Sequence, residues 1–133
     1  MYKIYTSYFT HRIFKDWDKE YLTVPVCSTL PKYYTYYTKW YRDLAPDPEI
    51  LKQFKQIRSK TKSIRSWFAK EYLKKLRSLK EGGILEIYIK DLKDLVKYDD
   101  VFLLCYEKPS QFCHRKILAA YLNKYYELNI SEY

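Results

Sequence analysis

Four reactive side chains follow an apolar run in the last third of this chain. The run VFLLCYE, residues 101–107, ends at Glu107, and a short polar loop then leads to Cys113, His114 and Arg115. A carboxylate, a thiol, an imidazole and a guanidinium this close in sequence could support acid–base or nucleophilic chemistry, hold a metal ion or bind an anion. The block is therefore the first candidate for a functional site.

Nucleophilic catalysis is one hypothesis for the block. We predict Glu107, Cys113 and His114 as catalytic residues, with the thiol of Cys113 or Cys105 attacking and a histidine as base. For each there is a structural alternative. Cys105 would be a small core residue, Glu107 would form a salt bridge, and His114 would hydrogen-bond to backbone at the start of a helix.

A phosphatase or rhodanese loop is excluded, because it needs a cysteine, five further residues and then arginine. Gln111 and Tyr33 occupy that offset from Cys105 and Cys27. A Gly-rich phosphate loop is excluded as well, since the chain has only Gly82 and Gly83.

No metal site and no cofactor are predicted. Zinc sites usually use spaced pairs such as Cys-x-x-Cys. Cys113 and His114 are adjacent, and on a helix they would point about 100° apart. A third ligand, Cys105 or Cys27, would have to complete the site.

The elements that must position these residues alternate between strand and helix patterns. Strands are predicted at 2–9, 22–28, 101–107 and 127–131, helices at 47–57, 63–82, 84–97 and 113–126, and an ordered aromatic loop at 30–46. Pro25 indicates an edge strand. This order predicts an α/β fold with a mostly parallel sheet in a single domain, 1–133.

Ligands of such sheets bind at the carboxyl ends of the strands. The residues predicted to bind a ligand there are Ser7, His11, Cys27, Ser28, Tyr106, Lys108, Arg115 and Lys116. The helix beginning near Cys113 offers free N–H groups, which favour an anion. Arg115 could grip two of its oxygens, and a structural pair with Glu107 is the alternative.

Positive charge is concentrated in one segment. Residues 52–80 carry 11 basic side chains and one acidic side chain, within a chain of net charge +9. This basic helical segment, at about 48–82, predicts phosphate or nucleic-acid contacts, for which we select Lys70, Lys74 and Arg77. A solvated helix face is the alternative.

The same motifs resemble a known family. LLCYEKPSQFCHRKILAAYL, the N-terminal KIYTSYF, and Pro31-Lys32 followed by Leu44-Ala45-Pro46 resemble a short subgroup of the bacterial and phage domain-of-unknown-function family 488. The resemblance implies a small Rossmann-like three-layer domain and no established reaction. Longer members have Asp-Val-Arg where this chain has Pro25-Val26-Cys27.

Three functions are consistent with these patterns. The chain could bind a phosphorylated small molecule such as a nucleotide at the strand ends, or bind nucleic acid through residues 52–80, or serve as a phage accessory factor acting on a host protein or signal nucleotide. The absence of a signal-peptide or membrane-span pattern predicts reduced cysteines, no membrane partner and a cytoplasmic location. The resemblance implies that this is the cytoplasm of a bacterium or a phage-infected host.

Overall fold

A computed structural model describes residues 2–15, 20–34, 37–108 and 111–133. Thr35 and Tyr36 of the predicted aromatic loop, and Pro109 and Ser110 of the loop before Cys113, lie outside the described residues. The strands are β1 (Ile4–Tyr8), β2 (Leu22–Pro25), β3 (Val101–Cys105) and β4 (Ser131–Glu132). The helices are α1 (Pro48–Gln56), α2 (Lys62–Glu81), α3 (Ile84–Leu95) and α4 (His114–Tyr126), with 3-10 turns at Arg12–Lys15 and Arg42–Leu44.

The four strands form one parallel sheet in the order β2-β3-β1-β4. The predicted α/β fold, a small Rossmann-like domain, is confirmed. In the register, Tyr8 of β1 lies beside Cys105 of β3, and Pro25 of β2 lies beside Leu104. The carboxyl ends of β1, β2 and β3 therefore meet at one edge of the sheet.

The direction of each connection decides which face of the sheet it covers. The connections β2 to β3 and β3 to β4 both run the same way across the sheet, and right-handed crossovers put their helices on one face. There Leu76, Leu92 and Leu118 pack in a core with Val24 and Leu103.

The connection from β1 to β2 runs the opposite way, so it covers the other face. Its described residues Ile13, Phe14 and Tyr21 pack there against Phe102 and Tyr5. Phe14 and Tyr21 meet the Phe102 ring edge-on at 5.4 and 5.6 Å. In the described residues of this connection, the third layer is thus made of aromatic side chains rather than an α-helix.

Pro25 lies on an edge strand, as predicted, because β2 pairs only with β3 among the described strands. Backbone of the aromatic loop covers the open side of β2. The Thr38 amide donates to the Thr23 carbonyl at 2.8 Å, and the Tyr41 amide donates to the Pro25 carbonyl at 3.0 Å.

The prediction of a strand at 127–131 was mostly wrong. Glu127 and Asn129 have positive φ values of 54° and 58°, so the chain is not extended there and the strand begins at Ser131. The helical interpretation of 84–97 is confirmed by α3, and Gly83, at φ 79°, separates α3 from α2. None of the helices in the described residues has the length and apolarity needed to cross a bilayer.

Candidate functional site

A cleft of about 480 Å³ lies where β3 ends and α4 begins. Helix α1 and the start of α2 form its other wall. The described residues that line it are Leu51, Phe54, Lys55, Lys60, Arg65, Phe68, Glu107, Gln111, Phe112, Cys113 and His114. All three residues predicted as catalytic are therefore brought to one surface.

His114 lies at the floor of the cleft and is held by the backbone of a neighbouring strand end. Its Nε2 is 2.7 Å from the Val26 carbonyl oxygen, which can only accept, so Nε2 carries the proton. Nδ1 faces two thiols, with the Cys105 Sγ at 3.6 Å and the Cys113 Sγ at 3.8 Å. The imidazole is thus fixed in ring orientation by one nitrogen and contacts sulfur with the other.

Cys113 reaches the same point because it is not part of the helix. It is the residue before the first turn of α4 and has an extended backbone, at φ −144° and ψ 145°. The predicted divergence of about 100° between Cys113 and His114 assumed that both were helical, and this was wrong. The Sγ atoms of Cys105 and Cys113 and a ring nitrogen of His114 all lie within 4.8 Å of one another.

The two thiols differ in acidity. The hydrogen bond from Cys105 lowers the pKa of Cys113 against the opposing effect of burial, and His114 and the Arg115 amide lower it further. The same hydrogen bond, together with burial, raises the pKa of Cys105. Burial also raises the pKa of the Glu107 carboxyl, whose Oε2 accepts from the Cys105 thiol at 3.2 Å.

The wall opposite the thiols is aromatic. The ring of Phe54 lies 4.5 Å from that of Phe68 and 5.6 Å from that of Phe112. These residues come from α1, α2 and the loop before Cys113. Three rings from separate elements make one apolar surface beside the polar floor.

Cations from the basic segment line the rim of the cleft. The Lys60 ammonium donates to the Phe54 and Ile57 carbonyls, which stabilises the negative end of α1. Arg65 donates from Nε to the Lys60 carbonyl at 2.9 Å, and Lys55 is exposed on α1. The start of the basic segment thus faces the predicted strand-end site.

Arg115 has other partners. It is fully buried, and its Nε and Nη2 donate to the two carboxylate oxygens of Glu132 at 3.1 and 3.0 Å. Its Nη1 donates to the Glu107 carbonyl. This geometry favours the structural alternative for Arg115, with Glu132 of β4 as the ionic partner instead of the Glu107 carboxylate.

The other residues predicted to bind a ligand lie away from the described lining of the cleft. The Ser7 hydroxyl is buried and has no hydrogen-bond partner among the described residues. His11 packs against Tyr8 and Tyr133 at ring distances of 5.2 and 5.3 Å. The Cys27 thiol donates to the Thr29 carbonyl at 3.0 Å.

Four further candidates take part in local backbone structure. The Ser28 carbonyl accepts from Arg42, and the Tyr106 hydroxyl donates to the Thr29 carbonyl at 3.0 Å. The amides of Lys108 and Lys116 donate to Gln111 and to the Cys113 carbonyl, respectively. Because these four residues are not among those that line the cleft, the cleft does not support their predicted role in ligand binding.

The cations selected for nucleic-acid contact lie further along α2. Lys70, Lys74 and Arg77 are exposed and are not among the cleft residues. Lys74 forms a salt bridge with Glu71 at 3.1 Å. The single charge run therefore divides into a cleft part and an outer part.

Sequence reasoning missed the walls of the cleft. Phe54 and Phe68 were recognised only as apolar helix positions, and Lys55, Lys60 and Arg65 only as members of a charge count. Phe112, directly before Cys113, was the one local signal. Nothing in the spacing indicated that α1 would face the start of α4.

Comparison with family models agrees with this architecture. The model described as the active DUF488-N3 subclade, DUF488-N3a, matches residues 15–126, which is most of the chain. The chain belongs to the DUF488 family. The match spans both walls of the cleft and the Cys113–Arg115 block of this DUF488 chain. Curated proteins and solved structures yield no match.

Proposed function

We propose that this DUF488 chain binds a phosphorylated small molecule of the nucleotide class in the strand-end cleft. One observation carries the proposal: the cations Lys55 and Arg65 and the rings of Phe54, Phe68 and Phe112 line one cavity at the amino end of α4. Cations attract phosphate, and aromatic rings stack on a base.

The size and position of the cleft support this proposal. Its volume of about 480 Å³ falls among those of small-molecule sites, which run from about 300 to 1,000 Å³. It also lies at the carboxyl ends of parallel strands, where α/β sheets bind ligands. Glu107, Cys113 and His114 line its floor and stay our predicted catalytic residues for a reaction of the bound molecule.

Calorimetric titration tests the proposal. We expect pyrophosphate and ATP to bind and adenosine to bind more weakly, because the cations contribute only when phosphate is present. Mass spectrometry of the denatured protein would identify a copurifying ligand. No binding of any phosphorylated probe at low salt, with no copurifying molecule, would refute the proposed function.

Nucleic-acid binding is a second proposal, favoured by the exposed Lys70, Lys74 and Arg77 on the outer part of α2. If these cations bind duplex DNA, each neutralised phosphate adds about −0.9 to the slope of log affinity against log salt. Reversal of all three to Glu should then abolish gel shifts without unfolding the protein. The absence of any gel shift at low salt would leave a solvated helix face.

A further inference from the structure

Two thiols and an imidazole meet at the floor of the cleft. The hydrogen bond between His114 and the Val26 carbonyl does not by itself explain why both thiols lie beside the ring. The Sγ atoms of Cys105 and Cys113 and a ring nitrogen of His114 lie within 4.8 Å of one another, and all three residues are buried. Deprotonated thiols and neutral imidazole are the ligands that zinc prefers. We propose that Cys105, Cys113 and His114 bind one zinc ion.

The spacing of the three groups suits tetrahedral coordination. With zinc–sulfur bonds of about 2.3 Å and a zinc–nitrogen bond of about 2.0 Å, a tetrahedral ion holds sulfur and nitrogen roughly 3.6 Å apart. The Nδ1 of His114 lies 3.6 Å from the Cys105 Sγ and 3.8 Å from the Cys113 Sγ. Both sulfur–nitrogen distances therefore match tetrahedral coordination, and the two sulfur atoms lie within 4.8 Å of each other.

The orientation of His114 supports the same assignment. Its Nε2 donates to the Val26 carbonyl at 2.7 Å, so Nδ1 is the nitrogen that faces the thiols and would give its electron pair to a metal ion. Metal-binding histidines commonly use a backbone carbonyl in this way to fix the ring and its tautomer. The nitrogen that would bind zinc is thus already oriented toward the thiols.

Glu107 is the nearest candidate for the fourth ligand. Its Oε2 lies 3.2 Å from the Cys105 Sγ and accepts a hydrogen bond from that thiol. Zinc binding releases the thiol protons to solvent, so the carboxylate loses this donor and can turn to the ion. A water molecule, or an oxygen of a molecule in the cleft, could take the same position.

Cys27 provides a matched control. It is buried like the other two cysteines, but its thiol donates to the Thr29 carbonyl at 3.0 Å and is not a member of the cluster. Zinc binding at this cluster needs only these ligand atoms. It holds or fails independently of whether a phosphorylated molecule binds in the cleft.

Cobalt titration of the reduced, metal-free full chain tests the site without any phosphorylated ligand. We expect thiolate-to-cobalt absorption that saturates at one equivalent and is abolished by added zinc. Cys27→Ser should behave as wild type. Cys105→Ser and Cys113→Ser should each weaken binding by more than about 100-fold, since loss of an outer partner alone costs about 10–100-fold.

A measurement on the wild-type chain covers the case in which a cysteine variant fails to fold. X-ray absorption of the zinc-loaded protein should show two sulfur neighbours at about 2.3 Å and lighter neighbours at about 2.0 Å. No cobalt absorption at one equivalent, no sulfur around zinc, or loss of binding in Cys27→Ser would overturn the inference.

Discussion

His114 and Arg115 are adjacent in the first turn of α4, yet their side chains contact different parts of the molecule. His114 faces the cleft and the two thiols, with Nε2 on the Val26 carbonyl. Arg115 faces β4 and holds both oxygens of Glu132. Both side chains are buried. Burial alone therefore does not show whether a polar side chain has a functional or a structural role, whereas its contacts do.

The contacts of Arg115 connect two parts of the chain that are distant in sequence. Arg115 joins the loop after β3, through the Glu107 carbonyl, to β4, a strand of only two residues. This set of contacts, which we call the Arg115 brace, therefore holds the segment that carries Cys113 and His114. Changes on the Arg115 side should affect stability, and changes on the cleft side should affect binding.

The largest expected effect is that of Arg115→Ala. The substitution removes three hydrogen bonds of a fully buried side chain and leaves the Thr6 hydroxyl as the described donor to the Glu132 carboxylate, so we expect a loss of about 3 kcal/mol or more. Chemical denaturation should show this loss of unfolding free energy. If stability were unchanged and pyrophosphate binding were lost, Arg115 would instead be an anion-binding residue.

Glu132→Gln should have a smaller effect on the same side. The amide oxygen can still accept from the Thr6 hydroxyl, now at 2.8 Å, or from Arg115, but the ionic component is lost. We expect a loss of about 1.5 kcal/mol, the lower limit for hydrogen bonds to charged groups. The exposed Glu81→Gln is the control, and equal stability of the two variants would contradict the brace.

On the cleft side, Arg65→Glu is compared with Arg77→Glu. Both arginines are exposed on α2, but only Arg65 lines the cleft. Arg65→Glu should weaken pyrophosphate binding by about tenfold, equivalent to about 1.4 kcal/mol, while Arg77→Glu should not. Equal weakening in calorimetric titrations would mean that the anion senses only the overall charge.

The smallest expected effect is that of Glu107→Gln on stability. Arg115 contacts the backbone carbonyl of Glu107 and not its carboxylate, and the amide oxygen can still accept from the Cys105 thiol. Unfolding free energy should stay within about 0.5 kcal/mol of wild type. A loss as large as that of Glu132→Gln would restore the Glu107–Arg115 pair as the structural contact.

Local patterns predicted most of the fold. Buried strands and helices with regular apolar spacing placed β1, β2, β3 and all four helices, because these signals arise within each element. The short β4 was predicted to begin too early, since the backbone is left-handed at Glu127 and Asn129, a conformation that is common for Asn but unusual for Glu.

The candidate site was predictable only in part. The reactive block at 107–115 was found because it is contiguous, and the sheet rule placed it at the strand ends. Its partners depend on tertiary packing: Glu132 reaches Arg115 across β4, and the rings of Phe54 and Phe68 reach Phe112 from other helices. The spacing of these residues along the sequence does not indicate that they are in contact.

The central claim is that the cleft, and not the outer part of α2, receives the phosphorylated ligand. Backbone amide chemical shifts of the isotope-labelled wild-type chain, recorded during titration with pyrophosphate, test it most directly. We predict the largest shifts at Arg65, Phe112, Cys113 and His114, with little change over residues 70–77. Shifts confined to residues 70–77, or scattered over the lysines of the surface, would contradict the account.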